Sequence, residues 1–203
     1  MSNNKVIYDG TQPQTITLPG GGRLIYEPHF LSKLSATRLY NHLDKSANWI
    51  QGVYKMFGKD IPTPRLLWAM RDEGSDITKS YKVTGSSVWT KRMVGVKRKV
   101  EKKIDAKLLY AQLNYYRDNS DYIGWHTDSE VQPDDLIASI SLGQPRKFQF
   151  RRIDRSGKIH EIVLGHGSLL IMDEMAAKGL WKHRLPKTAV KLDGRINITF
   201  RNR

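Results

Sequence analysis

The chain has 203 residues, 39% of them hydrophobic, and carries 34 Lys and Arg against 20 Asp and Glu, a formal charge of +14 at pH 7. That length suits one compact domain with N-terminal embellishment, and the apolar content excludes a disordered tail. The lack of cysteine excludes disulfides, cysteine zinc sites and thiol nucleophiles, and no run nears the roughly eighteen apolar residues of a membrane span.

A chain this basic points to a polyanion, because each neutralised phosphate releases counterions. The basic residues cluster at Lys91–Lys103, Arg146–Arg155 and Lys178–Lys187, which favours nucleic acid over charge kept for solubility alone. No basic helix shows a strong exposed apolar face, so a membrane partner is not expected. The first ten residues lack the pattern of a secretory signal. An intracellular monomer is expected, cytoplasmic in a bacterium and nuclear in a eukaryote.

Residues 1–30 alternate turn signals (Pro13, Pro19, Gly20-Gly21-Gly22) with short extended pieces at Thr15–Leu18 and Arg23–Tyr26. The glycine triplet reads as a hairpin turn and lacks the spacing of a phosphate-binding loop. Leu34, Leu39, Leu43 and Ala47 predict a helix from about Ser32 to Ala47. It contains His42 and Asp44, which diverge by about 200° on a helix and cannot close on one metal. Gly52 to Pro64, with Gly58, Pro62 and Pro64, predicts a loop carrying Met56-Phe57-Gly58, and Arg71–Ser80 predicts a flexible one. Trp89, Met93, Val96, Val100 and Ile104 predict a second helix with one buried stripe, whose other face carries the lysines and arginines of Lys91–Lys103. After Lys107 the pattern becomes short strands at Leu108–Tyr116, Leu136–Leu142, Lys147–Arg152, Lys158–Leu164, Ser168–Met172, Leu180–Leu185 and Arg195–Arg201. Such spacing predicts an antiparallel sandwich or barrel of the jelly-roll kind.

His126 and Asp128 follow Gly124 in a strand-like setting, where side chains two apart share a face and can grip one metal. Two imidazoles and one carboxylate on one triangular face leave the opposite positions open, as non-haem Fe(II) oxygenases require. Of the later histidines, His166 sits in a Gly-His-Gly turn and reads as structural. His160 lies on a strand flanked by charge and reads as exposed. His183, in a late strand just before an arginine pair, is the expected third ligand. Zinc takes the same donor types and competes at this stage. Arg195, Asn197, Thr199 and Arg201 then alternate strictly with Ile196, Ile198 and Phe200. A polar face of this kind turned into a barrel needs an anion beside its guanidinium groups, and a dicarboxylate meets that need bidentately. Asn114 and Tyr116 repeat the two-residue period on an earlier strand.

Taken together, Asn114-x-Tyr116, His126-x-Asp128, His183 and Arg195-x-Asn197-x-Thr199-x-Arg201 resemble the AlkB family of Fe(II)- and 2-oxoglutarate-dependent dioxygenases, most of all its branch that repairs alkylated DNA. The resemblance covers roughly Leu108 to Arg203. It implies a mainly β, α+β fold: a double-stranded β-helix (jelly roll) over residues 108–203, with N-terminal helices and a nucleotide-recognition lid within residues 1–107. It implies iron on His126, Asp128 and His183. It implies the distal carboxylate of 2-oxoglutarate on Arg195 with Tyr116 and Asn197, the carboxylate beside the keto group on Arg201 and Asn114, and a lesser part for Thr199. The implied reaction uses Fe(II), 2-oxoglutarate and O2 to demethylate N-alkylated bases in DNA, or also RNA, with release of formaldehyde, succinate and CO2.

Such an enzyme must flip its target base or act on single strands. Met56 and Phe57 resemble the apolar wedge that duplex-acting relatives insert into the base stack. Glu130 resembles an acidic residue that contacts the methylated base, and Trp68 and Tyr81 are candidates to stack on it. Two rival readings keep part of this picture: a 2-oxoglutarate dioxygenase acting on a protein or small molecule, and a non-catalytic nucleic-acid-binding module.

Overall fold

The computed structural model describes residues 4–56, 58–74 and 85–202. In chain order, β1 (Lys5–Tyr8), β2 (Gln14–Thr17) and β3 (Arg23–Glu27) precede α1 (Lys33–Ser46), and β4 (Ile50–Met56), β5 (Lys59–Arg71) and β6 (Ser86–Val88) precede α2 (Lys91–Ile104). Then come β7 (Tyr110–Tyr116), β8 (Ile123–His126), β9 (Ile137–Gly143), β10 (Arg146–Arg152), β11 (Ile159–Leu164) and β12 (Ser168–Met172). A π-helical turn (Met175–Gly179), β13 (Trp181–Leu185) and β14 (Arg195–Arg201) complete the chain. Two sheets face each other as a jelly roll. One has five strands in the order β1-β11-β10-β13-β8; the other has nine, in the order β2-β3-β12-β9-β14-β7-β5-β4 with β6 beside β5.

Both helices lie against the outer side of the nine-stranded sheet, and the strand period explains why. Ile196, Ile198 and Phe200 of β14, Leu113 of β7 and Ile140 of β9 form one cluster with Leu39 and Leu43 of α1 and Met93 and Val100 of α2. Each such side chain, fully buried, contributes about 1.5–3 kcal/mol. Most alternate residues of the same strands, such as Gln112, Asn114, Ser139, Ser141 and Asn197, are polar and point between the sheets. A second apolar cluster, including Leu24, Tyr26, Phe150, Ile162, Leu170 and Trp181, fills part of the inter-sheet space. Polar side chains hold the remainder.

The helix stripes follow the expected spacing, except that Leu34 is 60% exposed and Ala36 takes the buried place. Ser32 and Thr90 cap the two helices by accepting from the amides of Ser35 and Met93. The segment expected as a loop from Gly52 to Pro64 is instead a β-hairpin, β4–β5. Pro62 and Pro64 fit within β5 because residues 59–62 pair with β4 alone, residues 63–65 lie at the register shift with no partner in β4, and β7 pairs only from Leu66 onward. A missing N–H on the unpaired side disrupts no ladder.

His160 is a correction: it is buried, not exposed. Strand β1 lays Tyr8 over it, with the hydroxyl 2.6 Å from Nδ1 and the rings stacked, and Trp181 meets it edge-on. Burial lowers its pKa from the usual 6.5. Below about pH 6.5 the unfolded chain therefore takes up a proton that the folded chain refuses, so stability falls as pH drops. Denaturant midpoints should fall between pH 7 and pH 5, and less steeply in His160→Gln. An unchanged slope in the variant would assign the acid loss to other groups.

Candidate active site

Antiparallel pairing of β8 with β13 sets His126 directly opposite His183, with ring centroids 4.3 Å apart. Asp128 lies two residues past the end of β8, not within a strand as expected. Its amide donates to the carbonyl of Ala177 in the π-helical turn at 3.0 Å, and this fixes the carboxylate beside the two imidazoles. One ligand atom from each of His126, Asp128 and His183 lies within 4.8 Å of the others.

The protonation states suit a cation. Gly124 O lies 2.9 Å from His126 Nδ1; a carbonyl can only accept, so Nδ1 carries the hydrogen and Nε2 keeps its lone pair. Burial and the neighbouring His126 push His183 down to about 3, so this imidazole is neutral. Burial lowers His126 as well. Burial opposes the charge on Asp128, yet the Arg201 guanidinium at 3.2 Å outweighs it and holds the carboxyl below the usual range.

The polar residues of β14 are all buried and point into the same space. Arg195 is 1% exposed. Its Nη2 donates to Ser141 Oγ at 2.9 Å, and its guanidinium lies 5.3 Å from the centre of the Tyr116 ring. Burial lowers its pKa to about 10, which still leaves it a cation at neutral pH. Asn197 donates to Ser139 and accepts from Thr199. Arg201 pairs with Asp128 and Glu130. Asn114 faces the cavity from β7 and accepts from Arg65 Nε at 2.7 Å.

Among the described residues, buried nitrogens beside this cavity without a hydrogen-bond partner include Arg195 Nε, the amide nitrogen of Gln112 and His183 Nδ1. A buried unsatisfied donor costs about 1–3 kcal/mol, more when charged. A small dianion lying between Arg195 and the His126–Asp128–His183 cluster answers these groups, so the donor set fits iron with 2-oxoglutarate. Gln112 is a candidate that the sequence reading missed. Its place two residues before Asn114, on the same face of β7, marks its direction in the sequence, though not its lack of a partner.

The cavity opens past His126 and Asp128 into a cleft of about 700 Å³, within the roughly 300–1,000 Å³ usual for ligand clefts. Tyr54, Arg65, Tyr122, Trp125 and Glu130 line it. Trp68, expected as a stacking residue, instead packs in the helix-backed core and donates to Ser87, because its position on β5 turns it to the other side of the sheet. Tyr54 and Tyr122 are aromatics of the cleft that the sequence reading did not single out. Phe57, Tyr81 and the side chain of Met56 lie outside the described residues. His42 bonds Thr90, and His166 bonds Thr37 and the amide of Gly143, so neither joins the cluster. The basic face of α2 lies across the nine-stranded sheet from the cleft. Several of its lysines are engaged there: Lys97 with Asp72 and Glu101, and Lys103 with Glu27.

The 2OG-Fe(II) oxygenase superfamily profile matches residues 23–201. The chain is 30% identical over 181 residues to the DNA oxidative demethylase ALKBH2 of Homo sapiens, covering 83% of this chain and 69% of that protein. It is 28% identical over 203 residues to the alpha-ketoglutarate-dependent dioxygenase alkB homolog 3 of Mus musculus, covering 95% and 70%. The solved structure of OsALKBH1 shares the fold, with a TM-score of 0.66 at 17% identity over 92% of this chain and 99% of that one. The chain belongs to the 2OG-Fe(II) oxygenase superfamily and groups with its AlkB relatives. It is a dioxygenase that uses Fe(II), 2-oxoglutarate and O2. Among the described residues, no helix is long and apolar enough to cross a membrane.

Proposed function

We propose that this oxygenase removes N-alkyl groups from the bases of nucleic acid, DNA in the first place. The observation that carries the reading is the junction of the two spaces: a buried polar cavity holding Arg201 opens beside His126 and Asp128 into a cleft walled by Tyr54, Tyr122 and Trp125, with Arg65 beside them. When bound, iron and 2-oxoglutarate supply an O2-derived oxidant that turns the N-alkyl carbon into a hydroxyalkyl group, lost as formaldehyde from a methyl, with succinate and CO2 as co-products.

His126, Asp128 and His183 would hold the metal. Arg195, Tyr116 and Asn197 would seat the distal carboxylate of 2-oxoglutarate, and Arg201 and Asn114 would face its 2-oxoacid end, near Gln112 and Thr199. Tyr54 and Tyr122 offer ring faces to a base turned out of its stack. Glu130, which pairs with Arg201 and lines the cleft, would meet that base's polar edge. Burial of the inner wall keeps water from the reacting carbon. The described residues form one domain in this reading, with the strands of the first 107 residues extending both sheets.

The deciding assay mixes the protein with methylated and unmethylated oligonucleotides and follows formaldehyde and succinate. Formaldehyde should appear with the methylated strand alone, and only when Fe(II), 2-oxoglutarate and O2 are all present. Succinate formation that ignores every oligonucleotide but responds to a protein or metabolite extract would move the substrate out of nucleic acid.

A further inference from the structure

On β10 and β13 the residues facing the core are Phe148, Phe150, Trp181 and His183. Lys147, Gln149, Arg151, Lys182 and Arg184 therefore face outward. At one side of this outer face is a second cavity of about 490 Å³, lined by five cations: Lys5, Arg146, Lys147, Arg184 and Lys187. Among the described residues, Glu161 is the one carboxylate in a salt bridge with this group, and it is shared by Lys5 at 3.0 Å and Lys147 at 3.4 Å.

The other three cations are satisfied by neutral groups. Arg146 is buried and donates to the carbonyls of Asp118, Asp121 and Pro186. Arg184 donates to Gln149 Oε1 at 2.7 Å and stacks over the Trp125 ring at 4.4 Å. Lys187 lies 4.7 Å over the Tyr122 ring. A guanidinium over an indole keeps donor edges for an oxyanion, and although Asp118 and Asp121 act on Arg146 and Glu161 acts on Arg184, the five cations outnumber these carboxylates.

Position supplies the ligand. Trp125 and Tyr122 line the active-site cleft, and the cations stacked on them, Arg184 and Lys187, line the second cavity. The two spaces thus share a rim. We propose that this cavity is a phosphate subsite for the nucleic-acid strand whose base occupies the cleft, taking backbone phosphates that flank the target nucleotide. The inference rests on the nucleic-acid reading above. On the side of the second cavity, Arg184 and Lys187 cover the rings of Trp125 and Tyr122, so charge, and not base stacking, is what that side offers.

The test uses the full chain with unmodified oligonucleotides of increasing length, and reads affinity by fluorescence anisotropy at several salt concentrations. For the longer strands, the slope of log affinity against log salt should shrink by about one in Lys147→Gln and by about two in Lys147→Gln/Lys187→Gln. On the shortest alkylated substrate that is turned over, Lys147→Gln should raise KM less than it does on the longer strands. An unchanged slope on long strands, or equal losses on short and long ones, overturns the proposal. So does a double variant that keeps its nucleic-acid slope but loses binding of a polyglutamate peptide, which would make the cavity a protein-docking site. The slope is read without turnover. A variant-sensitive slope in a protein that releases no formaldehyde would therefore uphold the subsite and count against the dealkylase reading.

Discussion

Replacing His183 with alanine is expected to reduce formaldehyde and succinate formation to background. Loss of a partner outside the ligand set costs about 10–100-fold in metal affinity or activity, and loss of a ligand should exceed that. Only His126 and Asp128 would remain of the cluster. Because His183 packs against Phe148 and Phe150, alanine also leaves a cavity. His183→Asn, which fills more of the space, separates the two effects. Both variants should lose the rise in melting temperature that Mn(II) with 2-oxoglutarate gives the wild type by binding the folded state alone. Full activity in His183→Ala would remove this residue from the metal set.

Arg195→Met should have opposite effects on the free protein and on its complex. In the free protein Arg195 is a buried cation whose contacts are a hydroxyl and an aromatic ring. Replacement of buried charge by an apolar side chain of similar volume is often neutral or stabilising by about 1–4 kcal/mol, so the melting temperature without ligand should hold or rise. Truncating one side of a buried charge pair costs about 2–5 kcal/mol, so affinity for 2-oxoglutarate should fall by roughly two to three orders of magnitude. Arg195→Lys should recover little, since an ammonium cannot reproduce the planar fork. Calorimetric titration of the Mn(II)-loaded protein decides the matter: affinity within about fivefold of wild type in Arg195→Met would move the distal carboxylate elsewhere.

Strands β7 and β9 to β14 are readable from sequence because a side chain changes face at every residue, and residues such as Ile196, Ile198 and Phe200 mark one face without interruption. The polarity of β14 is also informative: arginines on the inner face need a reason, and that reason leads to the cavity. The same logic fails where the deciding partner is remote. His160 reads as exposed beside Lys158 and Glu161, and only strand β1, more than 150 residues earlier, covers it. The hairpin β4–β5 is hidden because its prolines and glycines signal a loop unless the unpaired side of β5 is known. With that hairpin unseen, Tyr54 and Arg65 carry no sign that they face the cleft. Gln112 is hidden differently, since nothing local distinguishes a buried amide with a partner from one without.

The three residues Gly20, Gly21 and Gly22 all have positive φ, which side chains rarely tolerate, and a Cβ on Gly22 would meet the backbone of Ala176 at 3.2 Å. The carbonyl of the next residue, Ala177, is the one that receives the amide of Asp128. The seat of the carboxylate proposed to hold the metal is thus shimmed by bare main chain from opposite ends of the polypeptide. Most surface substitutions would pass it by, whereas one added methyl at position 22 would press on the shim and tip the carboxylate off its aim.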